Sequence, residues 1–379
     1  MTQRSIPAVF MRGGSSKGVF FHAGDLPESR VEQEAVFLAV IGSPDPYGRQ
    51  LDGMGGGISS LSKAVIIGPP THPEADIDYT FAQVAVDRAV VDWGSNCGNL
   101  SGAVGPFAVD EGLVAAPRDG EAFVRIHQTN TRKIMHARFP MVGGRAAVAG
   151  DLAIAGVAGT GARVRVDILN PGGTRTSGLL PTGQALQELV LDGARIRVSM
   201  VDAANPMILV DAEALGCDGT ESPDAIEAKP GLMAALDRLR RMAAVAMGMA
   251  ATEGEAGLAV PKVGMVAPPR DFTALDGTRV AADEFDIAAR VISMERAHRA
   301  IPLTAAMCHG VATRVPGTLP NLLARRITGE EVRVGNPSGV LSVGGVLRPE
   351  GESWHAESAV VFRTARRLME GRVFYLPKR

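Results

Sequence analysis

Along most of the chain, apolar and polar positions alternate in short runs bounded by glycine, proline and small polar residues, the pattern of strands buried on one or both faces of a sheet. Such runs are IPAVFM and KGVFFH around the turn GGSS, then KAVIIG, DYTFAQVAV, AVVDW and FVRIHQTN, and further on RVRVDIL, RIRVSMV, MILVDA, KVGMVA, VRVG, VLSVGGVL and RVFYLP. A helical period is clearest in GLMAALDRLRRMAAVAMGM, where Leu232, Ala235, Leu236, Leu239 and Met242 recur at i, i+3, i+4 spacing. The same period is read in FDIAARVISMERAHRA. Two more helical segments are rich in glycine and alanine, SNCGNLSGAVGPFAV in the first half and PLTAAMCHGVATRVPG in the second. The pattern predicts a mixed α/β protein weighted toward antiparallel sheet.

At 379 residues the chain exceeds an average domain, so two domains are expected, each large enough for its own core. The turn in LLPTGQALQELV precedes a fresh set of strands and places the division at residues 1–184 and 185–379. Each half pairs a strand set with one of the glycine- and alanine-rich helices, a weak similarity that suggests duplication.

A formal net charge of −2 leaves no basic excess with which to neutralise phosphates, which argues against general binding of nucleic acid or a membrane surface. No stretch approaches the ~20 apolar residues needed to cross a bilayer, and the N-terminal segment has no sustained apolar core; a cytoplasmic protein is expected. Cys97, Cys217 and Cys308 fit neither a disulfide framework nor a zinc pattern of close pairs, and the seven histidines are scattered, so no metal site is read. No nucleotide fingerprint is present, and no cofactor is expected.

Cys97 opens the most informative stretch. Ser95 and Asn96 are both good caps, and Leu100, Val104, Phe107 and Ala108 follow at helical spacing, which predicts Cys97 in the first turn of a helix. Gly98, Gly102 and Gly105 each weaken an isolated helix by ~1 kcal/mol relative to alanine. So poor a helix is expected to be tightly enclosed, with its N-terminus open to a ligand, where free amides and the dipole favour a carboxylate or a thiolate. A small hydrophobe in a core is the other reading of Cys97. Two further segments offer chemistry. MRGGSSKG, residues 11 to 18, is a turn with exposed amides and hydroxyls suited to an anion, or an ordinary hairpin with a charged flank. In GSPDPYGRQLDGMGGGISSLSKAVII, Lys63 stands at the mouth of a strand, either solvated or buried with a lowered pKa and able to act as a base.

MRGGSSKGVFF, IGSPDPYGRQLDGMGG, SSLSKAVII, DYTFAQVAV, SNCGNLSGAVGPFA, LLPTG, VDAANPMILV, the RVPGT segment, GNPSG and RTARRLMEG together resemble the PrpF family, over nearly the whole chain from Ile6 to Gly371. That family includes 2-methylaconitate cis-trans isomerases, 3-methylitaconate delta-isomerases and 4-oxalomesaconate tautomerases. The resemblance implies a diaminopimelate epimerase-like fold: two similar α/β domains, each a curled, mostly antiparallel sheet around a central helix, with substrate held in the cleft between them. Epimerases of that fold use two opposed cysteines, whereas RAIPLTAAMCHG carries Pro302 and Thr304 near the place of a second thiol, with Cys308 a turn further in. A symmetric two-thiol racemase is therefore not expected.

The catalytic pair implied by the resemblance is Lys63 and Cys97. Neutral Lys63 would remove an allylic proton and Cys97 would donate or guide the second transfer; the roles exchanged, or Lys63 acting at both ends, satisfy the same chemistry. Ser15, Ser16, Gly55, Gly56, Asn96, Gly98 and Asn99 in the first domain, with Asn205 and Thr304 in the second, are the expected carboxylate contacts, Thr304 as a cap of the second helix. Arg12 and Lys17 are candidates for balancing substrate charge or for pairing with surface acids, and His309 is either a substrate-selecting side chain or a hydrogen-bonded core histidine. GPPTHPEADIDYTFAQVAV, VDAANP and GMAATEGEA resemble the methylitaconate enzymes, while PDPYGRQ and the DW before the cysteine resemble the methylaconitate enzymes. The substrate is expected to be a small unsaturated di- or tricarboxylate, isomerised by an enzyme of this chain alone or in a homodimer. A carboxylate-binding accessory protein and a cysteine hydrolase are the rivals from other classes.

Overall fold

The computed structural model describes residues 2–94, 96–351 and 353–376. It forms two compact units, one running up to Asp167 and completed by the C-terminal segment from Phe362, the other spanning Ile168–Val361. The single cut expected at residue 184 is corrected in two respects. The boundary falls earlier, and the chain returns at its end to the first unit, because the C-terminal strand, Ala365–Tyr375, pairs antiparallel with the first strand from Arg4↔Tyr375 to Gly13↔Ala365. A linear division cannot anticipate a strand that closes a sheet over such a separation.

In the first unit, β1 (Arg4–Gly13) and β2 (Ser16–His22) form the hairpin read from GGSS, followed by α1 (Arg30–Ile41), β3 (Lys63–Gly68), β4 (Ile77–Val84), α2 (Gly98–Asp110), β5 (Gly120–Gln128) and β6 (Lys133–Val142). β2 runs parallel to β3, β3 antiparallel to β4, β4 parallel to β5 and β5 antiparallel to β6. The strands are buried on both faces because α1 and α2 cover opposite sides. Val19, Phe21, Ala64, Ile66, Ala82 and Val84 share a core with Phe37, Val40 and Ile41 of α1. The alternate positions, Phe20, Lys63, Val65, Tyr79, Phe81 and Gln83, point the other way, and Phe20 meets Phe107 of α2 with ring centroids 5.3 Å apart. This period of two is what places Lys63 and Gln83 on the α2 side.

The second unit repeats the order. It contains β7 (Ala194–Asp202), β8 (Pro206–Asp211), α3 (Leu232–Ala246), β9 (Lys262–Ala267), β10 (Ile287–Ser293), α4 (Leu303–Arg314), β11 (Glu331–Asn336) and β12 (Gly339–Glu350). Its pairings alternate as before: β7–β8 antiparallel, β8–β9 parallel, β9–β10 antiparallel, β10–β11 parallel and β11–β12 antiparallel. Each unit is thus a mixed, largely antiparallel sheet around a glycine- and alanine-rich helix, the architecture the resemblance implied. One expected helix is corrected. FDIAARVISMERAHRA supplies β10, whose seven residues are all buried. A continuous apolar run carries no period of its own, and pairing on both edges decides for strand. The helix α1 was not foreseen among so many strands.

The enclosed helix is α2, in which every residue from Leu100 to Val109 is buried. A Cβ on Gly105 would stand 2.8 Å from Cε1 of Phe139 and 2.9 Å from Cβ of Ala137, and one on Gly102 2.7 Å from Cβ of Arg363. The glycines therefore let β6 and the C-terminal segment approach the helix axis, and the propensity they forfeit is offset by packing. Gly105→Ala is expected to lower stability by up to about 2 kcal/mol in chemical denaturation, since overpacking of about 1–3 kcal/mol outweighs the ~1 kcal/mol gained in propensity. A midpoint that rises instead would show that the helix has room.

Candidate active site

Lys63 begins β3 and stands opposite Gln83 of β4 in the antiparallel register. Its side chain is 6% exposed. The Nζ donates to Oε1 of Gln83 and lies 5.0 Å from the centre of the Phe81 ring. The carboxamide of Gln83 is itself fixed, because its Nε2 donates to the carbonyls of Ser59 (3.0 Å) and Ser62 (2.9 Å), which leaves Oε1 turned toward the lysine. Burial lowers the pKa of Lys63 below its ordinary value, and the charge of a Cys97 thiolate works in the opposite direction. The two groups therefore share one electrostatic environment, within a single unit.

Cys97 is the N-cap of α2, one position earlier than expected: its φ and ψ are extended and its carbonyl accepts from the Ser101 N–H at 2.9 Å. Ser95 lies outside the described residues. The side chain of Cys97 is 8% exposed, and its Sγ is 4.0 Å from Oγ of Ser16, which is buried at the start of β2. The N–H groups of Gly98, Asn99 and Leu100 have no acceptor inside the helix, so the thiol stands beside unpaired donors at the positive end of the dipole.

The other expected contacts divide. Ser16, Gly98 and Asn99 gather at the α2 N-terminus. Asn96 faces inward, its Oδ1 accepting from Ser101 Oγ at 3.3 Å and its Nδ2 directed at Met135 Sδ at 3.8 Å, and Ser15 is exposed at the hairpin tip. Gly55 is a correction: its N–H donates to the Ile41 carbonyl at 3.1 Å, and a Cβ there would sit 2.7 Å from that same oxygen. Gly56 lies against Leu61. The loop they belong to is organised by buried Gln50, whose Nε2 donates to Ser43 Oγ (2.8 Å) and whose Oε1 accepts from Gly57 N (2.9 Å) and Ser62 Oγ (2.6 Å), the residue before Lys63. Arg12 is likewise structural, with Nη1 donating to the carbonyls of Gly14 and Thr364 and to Thr364 Oγ1. Lys17 lies 5.5 Å from the ring centre of Phe10.

In the second unit, Asn205 and Thr304 meet, with Asn205 Nδ2 3.5 Å from Thr304 Oγ1. Thr304 is no cap, however: α4 is preceded by Pro302 as N-cap, and no side chain caps it. His309 is a core residue, its Nδ1 donating to the Ala305 carbonyl at 2.8 Å and burial bringing its pKa down to about 4. Cys308 is fully enclosed and its thiol is pushed up by burial to about 12. Among the described residues no group of histidine, cysteine or acidic side chains is arranged to hold a metal ion, and no helix is long and apolar enough to cross a membrane.

Sequence reasoning missed Gln83 and Arg363. Gln83 is a polar position inside the apolar run DYTFAQVAV, and Arg363 closes the apolar run AVVF, so each carried a visible signal: a polar side chain where the pattern calls for core. Arg363 is buried, and a negative charge on Cys97 favours its charged form. The three cysteines are all free. In the native protein iodoacetamide at about pH 8 is expected to alkylate Cys97 ahead of Cys217 and Cys308, as read by peptide mapping, because burial holds the latter two as thiols. Equal rates would contradict a distinct environment for the thiol at the helix terminus.

The PrpF protein family model matches residues 3–377. The chain is 43% identical over 378 residues to a 3-methylitaconate isomerase of Eubacterium barkeri, covering 98% of this chain and 97% of the relative. It is 41% identical over 382 residues to a 2-methyl-aconitate isomerase of Shewanella oneidensis, covering 97% and 96%. Among solved structures, a crystal structure of methylitaconate-delta-isomerase superposes with a TM-score of 0.91 at 42% identity, covering 99% of this chain and 96% of the other. Motifs, architecture and near-complete coverage agree, and the chain belongs to the PrpF family.

Proposed function

We propose that the protein is a cytoplasmic isomerase that moves a proton and a double bond within a small unsaturated di- or tricarboxylate, with Lys63 and Cys97 as its catalytic residues. The observation that carries this reading is a buried lysine and a helix-capping thiol within electrostatic reach of each other in one unit, in a chain similar over its length to a 3-methylitaconate isomerase and a 2-methyl-aconitate isomerase. Three free cysteines and no membrane-crossing helix among the described residues are in keeping with the compartment.

The chemistry follows from what the two groups can hold. Neutral Lys63 takes a proton from the allylic carbon, and the C–H electron pair spreads over the double bond into the adjacent carboxylate as a dienolate. Negative charge accumulates on oxygen, where the free amides at the α2 N-terminus and the Ser16 hydroxyl can donate to it. Cys97 delivers its proton to the far carbon, and the Lys63 ammonium then returns a proton to the thiolate, so that both groups end as they began. Burial serves this sequence by destabilising the ammonium, which places more of the lysine in its basic form at a given pH.

Incubation with methylitaconate, trans-aconitate, 2-methylaconitate and oxalomesaconate in heavy water, followed by proton NMR, tests the reading; deuterium at the migrated position of at least one acid is expected, and no exchange with any of them would overturn it. Lys63→Ala and Cys97→Ser should each lower kcat by about 10²- to 10⁴-fold with unchanged thermal melts. If Lys63 is the base, kcat/KM rises with pH through an acid limb whose apparent pKa lies below 10.5, the ordinary lysine value. Gln83→Glu places a carboxylate against the ammonium, raises that pKa and should move the limb to higher pH; a limb that stays in place would remove Lys63 from the role of base.

A further inference from the structure

Arg363 is a large cationic side chain 3% exposed to solvent. Nη1 donates to the carbonyl of its own neighbour Phe362 at 2.8 Å, and Nε is enclosed without an acceptor. Among the described residues no carboxylate pairs with it, in contrast to Arg333 with Asp286 or Arg138 with Asp167. A guanidinium cannot shed its charge readily, and burying it without a counter-ion carries a large desolvation penalty, so folding alone does not account for an arginine here.

Its course through the first unit is fixed by two glycines. A Cβ on Gly102 of α2 would lie 2.7 Å from Cβ of Arg363, and one on Gly14 of the β1–β2 turn would lie 2.9 Å from its Cδ while also striking Oδ1 of Asn99. The stem therefore runs from the second turn of α2 to the junction of the hairpin with the helix N-terminus, where Asn99, Cys97 and Ser16 stand. Burial brings the pKa of Arg363 down to about 10, and a negative charge on Cys97 acts against that fall, so the cation and the sulfur lie within electrostatic reach.

We propose that Arg363 is a substrate-binding residue, holding a carboxylate group of the acid at the N-terminus of α2 beside Cys97. The inference rests on the isomerase reading and deepens it by naming the cation that receives an anionic substrate. A guanidinium is the cation best matched to a carboxylate, and the helix amides of Gly98 and Asn99 offer further donors to it. The missing counter-ion of the resting protein is then the ligand.

Tricarballylate, a saturated tricarboxylate that cannot isomerise, is the probe. Binding is read by calorimetry and by protection of Cys97 from iodoacetamide. Wild-type protein is expected to bind it, Arg363→Met to bind it roughly 30-fold more weakly or worse, and Arg363→Lys to fall between, since a point charge replaces the fork. In turnover the same variants should raise KM by comparable factors. Arg363→Lys preserves charge and most of the stem, so it keeps the test open if Arg363→Met does not fold. Unchanged tricarballylate affinity in a folded variant would overturn the proposal. Failure of wild-type protein to isomerise any of the four acids while still binding tricarballylate through Arg363 would count against the isomerase reading and leave the binding role standing.

Discussion

The constraint on which the site depends is the close approach of three pieces of backbone to the first turns of α2. Hairpin, C-terminal segment and helix meet at Gly14 and Gly102, where a single methyl group would collide with the stem of Arg363. That contact brings Ser16 from β2, Cys97 from the helix cap and Arg363 from the far end of the chain to one place. The helix forfeits about 1 kcal/mol of propensity per glycine to permit it. The surrounding core, buried from Leu100 to Val109, offsets the loss. Packing and the proposed site are therefore one arrangement: loosening the helix would separate Ser16, Cys97 and Arg363.

The repeated topology lets the proposed site be compared with its counterpart in the second unit. Lys63 opens β3, and at the same place in the second unit Lys262 opens β9, its Nζ donating to Ser293 Oγ on the neighbouring strand at 2.7 Å as Lys63 donates to Gln83. Burial lowers the pKa of both lysines. The helix caps differ. Cys97 precedes α2, whereas Pro302 precedes α4, and the nearest cysteine there, Cys308, is enclosed with a thiol too weakly acidic to ionise. The second unit thus keeps the amine and lacks the sulfur. A single thiol can serve a proton shuttle that begins and ends on different carbons, which a two-thiol racemisation at one carbon cannot share.

Much of this was legible beforehand. The hairpin around GGSS, the strands KAVIIG and DYTFAQVAV, the enclosed helix after Cys97 and the core placement of Cys308 all follow from period, caps and composition. What was not legible depends on contacts distant in sequence. The run IAARVIS satisfies helix and strand alike until two partners pair with it. The C-terminal strand reveals its unit only through its register with β1. Gly55 reads as a free amide until the Ile41 carbonyl is seen to occupy it. Gln83 and Arg363 were visible as polar residues in apolar runs, yet nothing local says that one meets Lys63 and the other is electrostatically coupled to Cys97. Thr304 is the second residue of its helix, two positions past the Pro302 cap, a shift that sequence patterns rarely resolve.

The partners around Lys63 are those the proposed role of base calls for, because they orient the amine while burial lowers its pKa. A carboxylate at position 83 would hold the lysine as an ammonium, useless as a base. A hydrocarbon would leave its amine unoriented. A carboxamide whose N–H groups are held by the Ser59 and Ser62 carbonyls presents a neutral acceptor in one direction, so it aims Nζ without stabilising the charge as an acid would. The Arg363 cation, like the lysine, is electrostatically coupled to Cys97, and in the proposed site it would favour negative charge near the thiol and the helix terminus. In the proposed reaction a dianionic substrate would meet donors near the sulfur and a base at the amine. That polarity is what a proton shift along a conjugated acid requires: removal where the amine stands, and charge held where the amides and the arginine are.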